Sequence, residues 1–149
     1  MAQKEAKNKT FDVPPQNKRR IKMEEQVLTI AEMQSLQELG IDTTKASMFW
    51  VKEINKDNYY VAVQDGTLTP NTTCMPTFTM QDILQLLPKY MNLNNKTYFL
   101  TLMYDVSNGV VISYCTEHIN DILHPECSSN QLTACYRMLT WLKKMKLMK

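Results

Sequence analysis

The chain has 149 residues, of which 44% are hydrophobic and 21% are charged, and its formal net charge is +2. This length suits one globular domain with a single core. No apolar run approaches the ~18 residues of a membrane-spanning helix, and the polar, basic N-terminus lacks the apolar stretch of a secretory signal, so we expect a soluble cytoplasmic protein without a membrane span.

Residues 1–26 are predicted to form a disordered basic tail, and residues 27–149 a single domain. The tail lacks hydrophobic periodicity and contains Pro14-Pro15, so it buries too little apolar area to offset the entropy of ordering. Residues 1–22 carry seven basic and two acidic side chains, a net charge of +5, which leaves −3 for the rest of the chain. The folded part therefore offers no general positive field for nucleic acid.

The first helix is predicted over residues 30–39. Thr29 precedes it, and Glu32 follows Thr29 by three positions. In this capping box the hydroxyl and the carboxylate each accept a hydrogen bond from a free backbone N–H. Gly40 suits the left-handed position after a helix, so the helix is expected to stop there.

A β-hairpin is predicted next, because residues 46–53 and 59–64 are rich in aromatic and β-branched side chains and the stretch between them is turn-like. A second helix follows over residues 80–87. Thr79 and Asp82 repeat the capping-box spacing, and the proline after residue 87 disfavours continuation of the helix.

A second hairpin is predicted over residues 98–107 and 110–116, around Asn108-Gly109, the strongest two-residue hairpin signal. Counting outward from a two-residue turn places three pairs on one face, which we expect to be buried. These pairs are Val106 with Val111, Tyr104 with Ser113, and Leu102 with Cys115.

The third helix is predicted over residues 129–147, with Ser128 as its cap and Gln131 three positions later. Apolar residues at three- and four-residue spacing form its buried stripe, and its last turns are rich in lysine, which suits the negative end of the helix dipole. A second apolar stripe consists of Met138, Trp141, Met145 and Met148.

These elements predict an α+β fold in which three helices pack on an antiparallel sheet built from two β-hairpins, in the order α-ββ-α-ββ-α. Thr29 and Thr79 lie 50 positions apart, which is consistent either with a decayed αββ repeat or with two independent caps. The predicted core consists of Met33, Leu36, Trp50, Val61, Ile83, Leu84, Leu87, Leu100, Leu102, Val111, Leu132, Cys135, Leu139 and Leu142.

A weak candidate zinc site is formed by Cys115, His118, His124 and Cys127. Four such ligands within a short stretch suit tetrahedral zinc. However, Cys115 is predicted to point into the core and Cys127 to flank the third helix, so we predict neither a metal site nor a catalytic centre there. We expect instead that the cysteines are buried as small apolar residues and that the histidines are solvated. Disulfides are not expected in a reducing compartment.

Few other residues in this sequence point to catalysis or to ligand binding. The cysteines and histidines lie in no recognisable nucleophile motif, and the three glycines form no phosphate-binding loop, so neither an enzyme nor a cofactor is predicted. Lys18, Arg19, Arg20 and Lys22 could contact nucleic-acid phosphates, but no recognition fold or interleaved aromatic residue accompanies them. The basic amphipathic helix over residues 137–149 could instead bind a partner protein or a membrane surface, or its second apolar stripe could simply cover the edge of the sheet.

Three segments resemble a group of small proteins from phages and integrated mobile elements of gut bacteria. They are L-T-I-A-E-M-Q-S-L-Q-E-L-G-I-D-T-T-K-A-S-M-F-W at 28–50, M-P-T-F-T-M-Q-D-I-L-Q-L-L-P-K at 75–89 and A-C-Y-R-M-L-T-W-L-K at 134–143. The resemblance covers roughly residues 27–145, and the basic tail departs from it. It implies a bacterial host cell as context, but the group has no assigned activity, cofactor or catalytic residue.

These observations predict a non-enzymatic accessory protein that acts by binding another protein or a second copy of itself. Met138, Trp141, Met145 and Met148 are the candidate contact residues. The alternative is a nucleic-acid-binding accessory protein that uses the basic N- and C-terminal segments, the latter including Lys143, Lys144, Lys146 and Lys149.

Overall fold

A computed structural model describes residues 22–63, 71–107, 109–118 and 121–148. Over these ranges the fold is α+β, with three helices and two antiparallel sheets. The elements are a 3-10 helix (Met23–Gln26), α1 (Ile30–Glu38), β1 (Met48–Glu53), β2 (Tyr59–Val63), β3 (Thr72–Thr77), α2 (Met80–Leu86), β4 (Tyr90–Leu93), β5 (Lys96–Asp105), β6 (Gly109–Cys115), β7 (Ile122–Ser128) and α3 (Gln131–Lys144).

The predicted fold class is confirmed, but the arrangement of strands differs from the prediction. Both hairpins exist, as β1–β2 and β5–β6, yet they belong to separate sheets with strand orders β2-β1-β3 and β4-β5-β6-β7. Strands β3, β4 and β7 were not predicted. All three lie at sheet edges; β3 and β7 contain Pro76 and Pro125, and β4 has only four residues. Proline is tolerated in an edge strand, because its missing N–H need not remove a hydrogen bond between strands. Sequence patterns therefore identify such strands poorly.

The 3-10 helix lies within the segment that was predicted to be a disordered tail. The rest of that segment, residues 1–21, lies outside the described residues. None of the helices in the described ranges is long and apolar enough to cross a bilayer.

The predicted register of the β5–β6 hairpin is wrong by three residues. Leu102 pairs with Ile112, and Cys115 pairs with Phe99. The closing pair is Asp105 with Gly109, so the loop contains three residues rather than two. The Asp105 carboxylate stabilises this longer turn by accepting a hydrogen bond from the Ser107 N–H at 2.9 Å.

An odd shift in register exchanges the two faces of a strand. The exchange falls on β6, where Ile112 and Tyr114 face the main core in place of Val111, Ser113 and Cys115. Leu102, Tyr104 and Val106, which were predicted to be buried, are exposed, although Leu102 and Tyr104 project from the same face as their buried partners Ile112 and Val110. The Tyr114 hydroxyl donates a hydrogen bond to the Pro88 carbonyl at 2.6 Å.

The main core combines buried side chains of α1, α2 and α3 with those of the four-stranded sheet. α3 packs against α2, β6 and β7, whereas α1 packs against β3. Of the predicted core, Leu102 is exposed, while Trp50, Leu84, Leu100 and Val111 are half-buried. The remaining predicted core residues are buried, namely Met33, Leu36, Val61, Ile83, Leu87, Leu132, Cys135, Leu139 and Leu142.

The first two helix starts are confirmed as capping boxes, at Thr29 and at Thr79. The third prediction is wrong, because β7 continues to Ser128 and the chain must turn before a helix can begin. Asn130 is the cap instead, and its side chain accepts a hydrogen bond from the Leu132 N–H at 2.9 Å. The Ser128 hydroxyl stabilises the turn by accepting from the Asn130 N–H.

The two capping boxes lie side by side, although they are far apart in sequence. Val27 forms a β-bridge with Thr79, and the Leu28 N–H donates to the Phe78 carbonyl at 3.0 Å. The Leu28 carbonyl in turn accepts from the Trp50 indole N–H at 2.8 Å. These bonds join the first helix and its sheet to the second helix.

Candidate functional site

The four residues of the candidate zinc site lie in different environments. Cys115 is buried in β6, with its sulfur 3.2 Å from the Ser113 hydroxyl, whereas Cys127 and His118 are exposed. The His124 imidazole lies 2.8 Å from the Glu126 carboxylate. Across the described ranges, no group of three or more potential ligands could hold a metal ion.

The strand alternation explains this dispersal. His124 and Glu126 project from the face of β7 that α3 covers, while Cys127 and its cross-strand neighbour Val111 project from the other face. Cys115 shares that second face and lies beside Phe99, not beside Leu102 as predicted.

The four thiols are expected to differ in reactivity. Burial raises the pKa of the Cys135 thiol to about 11 and leaves the side chain fully inaccessible, and Cys115 is only 3% exposed. Cys74 and Cys127 are exposed. Because the thiolate is the reactive form, Ellman's reagent should modify two cysteines per chain in a dilute solution of the folded protein and all four in guanidinium. Rapid reaction of four thiols under native conditions would contradict this distribution.

The second apolar stripe of α3 is only partly available to a partner. Met138 is fully buried in the core, so its prediction as a contact residue is wrong. The cause is that α3 is covered from two sides, by the sheet and by α2, which buries a wider arc than one stripe. Met148 packs against the core, whereas Met145 is 57% exposed and Trp141 is half-buried.

Trp141 forms one wall of a groove between α3 and β7. The groove has a volume of about 280 Å³ and is lined by Glu126, Tyr136, Arg137, Thr140, Trp141 and Lys144. The Trp141 ring stacks on His124, with centroids 4.2 Å apart and planes within 5° of parallel. His124 is itself held by Glu126. The indole is therefore fixed before any ligand arrives. We call this feature the α3–β7 groove.

The rim of the α3–β7 groove is positively charged. Arg137 and Lys144 are exposed and lie seven residues apart on α3, which separates them by about 10 Å along the helix axis. Among the described residues, Glu126 is the one acidic member of the lining, and its carboxylate is hydrogen-bonded to the His124 imidazole. The groove thus combines two cationic side chains with an aromatic wall between them.

Part of the outer edge of β7 is unavailable to an added strand. Arg137 donates from Nη1 to the Cys127 carbonyl at 3.3 Å, which occupies an acceptor on that edge. Alternate residues of a strand direct their backbone groups to the same side, so Pro125 also faces outward, and it has no N–H to donate. These two features disfavour β-augmentation along this edge, so a ligand of the α3–β7 groove is expected to bind through side chains.

The nucleic-acid candidates are only partly described. Lys18, Arg19 and Arg20 lie outside the described residues. Lys22 is exposed and directly precedes a 3-10 helix that carries Glu24 and Glu25. These two carboxylates offset its charge locally.

Three of the six groove residues, Glu126, Tyr136 and Thr140, were not singled out by the sequence reasoning, although a signal for two of them existed. Tyr136, Arg137, Thr140, Trp141 and Lys144 recur at helical spacing along one side of α3. No such signal existed for Glu126, or for the stacking of His124 on Trp141. The strand β7 was not recognised in the sequence, and its packing against α3 arises only in the fold.

Comparison with known proteins provides no template for this site. No protein-family model matches the chain, no curated protein matches it, and no solved structure matches it.

Proposed function

We propose that this chain is a non-enzymatic accessory protein that acts by binding another protein, with the α3–β7 groove as its binding site. The observation that carries the proposal is the immobilised Trp141 ring between two exposed cations, Arg137 and Lys144. The resemblance of residues 28–50 and 75–89 to phage and mobile-element proteins supports a phage or mobile-element origin for this chain, and with it a bacterial cytoplasmic setting.

The positive charge of the groove rim favours a partner with negatively charged side chains. Two cations about 10 Å apart match two carboxylates about three residues apart in an extended segment. Trp141 and Tyr136 offer apolar surface to a hydrophobic side chain between those carboxylates. The partner is therefore an acidic segment with an apolar residue near its centre, bound through side chains.

A direct test measures binding of a fluorescent peptide, Glu-Glu-Leu-Glu-Glu, by polarisation at low and high salt. We expect saturable binding that weakens with salt and falls about tenfold in Lys144→Glu, since one attractive charge becomes repulsive. Lys89→Glu is the matched control, because Lys89 is also exposed but lies outside the groove. No binding at low salt, or equal loss in the two variants, would refute the acidic-segment site.

The alternative proposal is a nucleic-acid-binding accessory protein. It is supported by Lys143, Lys144 and Lys146, which cluster at the end of α3, and by the net charge of +5 in residues 1–22. A fluorescent oligonucleotide serves as a probe under the same conditions. Oligonucleotide binding with a steep salt dependence, together with no peptide binding, would favour this alternative.

A further inference from the structure

A second cavity lies at the end of the four-stranded sheet where β5 begins and β6 connects to β7. Lys96, Thr97 and Phe99 line it from β5, and residues 116–118 with Asp121 line it from the β6–β7 connection. Its volume is about 430 Å³, within the range of roughly 300–1,000 Å³ that is typical of small-molecule sites. Among the described residues, it shares no lining residue with the α3–β7 groove. We call it the β5 cavity.

Hydrogen bonds hold the two sides of the β5 cavity in place. The Lys96 ammonium donates to the Asp121 carboxylate at 2.6 Å, which ties the start of β5 to the β6–β7 connection. Within that connection the His118 carbonyl accepts from the Thr116 hydroxyl and from the Asp121 N–H, both at 3.0 Å. A site that is already ordered costs little conformational entropy when a ligand binds.

The apolar surface of the β5 cavity comes from Phe99. This ring lies on β5 between Tyr90 and Cys115 of the neighbouring strands, and it is 43% exposed. An exposed aromatic ring in a concave site can pack against an apolar group and can attract a cation to its face.

The hydroxyls of the lining are available as acceptors. The Thr97 hydroxyl donates its proton to Asn92 Oδ1 at 2.8 Å, and the Thr116 hydroxyl donates its proton to the His118 carbonyl. A hydroxyl has one proton and two lone pairs. With both protons in use, the two oxygens can only accept a hydrogen bond from a ligand, so the ligand must be a donor.

The charge of the lining leads to the same conclusion. Lys96 and Asp121 offset one another through their ion pair. Glu117 is exposed, and its carboxylate has no ion-pair partner within the part of the chain that the structure describes. With histidine counted as neutral, the lining therefore carries an excess negative charge.

We propose that the β5 cavity binds a small free primary amine, in its ammonium form, that also carries an apolar group. The ammonium donates to the Glu117 carboxylate and to the threonine hydroxyls, while the apolar group packs on Phe99. An anionic ligand would have to displace Asp121 from Lys96. This site does not depend on the function proposed for the α3–β7 groove, whose rim has the opposite charge.

The test is an NMR titration of the full chain with phenethylammonium, followed through the amide signals of residues 96–99 and 116–118. We expect saturable shifts, and affinity at least about tenfold lower for 3-phenylpropionate, which carries a carboxylate on the same ring system. No saturable shift at millimolar concentrations, or equal affinity for the two ligands, would overturn the proposal. So would tighter binding of Nα-acetyl-lysine amide, because it would assign the cavity to a lysine of another protein.

Two variants locate the binding energy within the β5 cavity. Glu117→Gln preserves size and removes the charge, so it should weaken phenethylammonium binding about tenfold, and Phe99→Leu should also weaken it. Glu38→Gln is the matched control, because Glu38 is an exposed glutamate on α1 outside the lining. An unchanged affinity in Glu117→Gln, or an equal loss in Glu38→Gln, would refute the assigned role of Glu117 and with it the amine site.

Discussion

Gly109→Ala is expected to destabilise the protein far more than Gly40→Ala, although the two substitutions are chemically identical. Both glycines have positive φ, +75° at Gly40 and +80° at Gly109. Alanine in this left-handed conformation costs about 1 kcal/mol. At Gly40 nothing lies within 4 Å of an added Cβ, so we expect only this cost.

At Gly109 the added Cβ would also meet backbone atoms of the strand-to-helix connection. It would lie 2.7 Å from the Ser128 carbonyl oxygen and 2.8 Å from the Ser129 Cα. Backbone cannot rotate away as a side chain does, so β6 and β7 must separate locally. We therefore expect a total loss of about 3 kcal/mol or more in the free energy of unfolding.

Urea unfolding of the wild type and both variants, at one protein concentration, measures this difference. Amide hydrogen exchange should show lost protection in β6 and β7 for Gly109→Ala, with the first helix unaffected. Equal losses in the two variants would mean that φ strain alone determines the cost and that the approach of Ser128 is unimportant.

Asp82→Ala is expected to cost about 2 to 3 kcal/mol, compared with about 1 kcal/mol for Glu32→Ala. The two acids hold the same position in equivalent capping boxes. Within the part of the chain that the structure describes, the Glu32 carboxylate accepts only from Thr29, from its N–H at 2.9 Å and its hydroxyl at 2.8 Å, in an exposed setting. Its loss removes a local cap and nothing more.

The Asp82 carboxylate, by contrast, is 9% exposed and accepts bonds from two parts of the chain. It accepts from the Thr79 N–H at 2.8 Å and hydroxyl at 2.9 Å, as a helix cap. It also accepts from the Ser47 hydroxyl at 2.7 Å, which joins α2 to the residue that precedes β1. Removing it leaves partly buried donors unsatisfied as well as uncapping the helix.

A double-mutant cycle separates the two roles. Ser47→Ala combined with Asp82→Ala should lose less than the sum of the single losses, because the two residues share one interaction. Ser47→Ala combined with Glu32→Ala should be additive. Equal losses for the two acids, or additivity in both cycles, would show that the long-range bond contributes nothing to stability.

Features that depend on near neighbours in sequence were predictable. Thr29 and Thr79 cap their helices because the cap, the acid and the intervening turn all lie within four residues. Gly40 takes its left-handed conformation for the same local reason. The buried stripe of α3 follows from helical periodicity alone. None of these features depends on which helices and strands pack against one another.

Features of the candidate site depended on strand pairing and could not be predicted in this way. A three-residue loop instead of a two-residue loop moved Cys115 from Leu102 to Phe99, and on β6 it placed Ile112 and Tyr114 in the main core instead of Val111, Ser113 and Cys115. Local propensity favours a turn at Asn108-Gly109 but does not select the loop length, which the burial of Ile112 and Tyr114 in the common core decides.

The sequence by itself therefore determined the helices, their first two caps and the α+β class, because each rests on contacts within a few residues. The tertiary structure decided which side chains meet. It buried Met138 by placing α2 beside α3, stacked Trp141 on His124, and gave Asp82 a second partner that Glu32 lacks. Packing of the whole core selects such long-range contacts, so no local pattern specifies them.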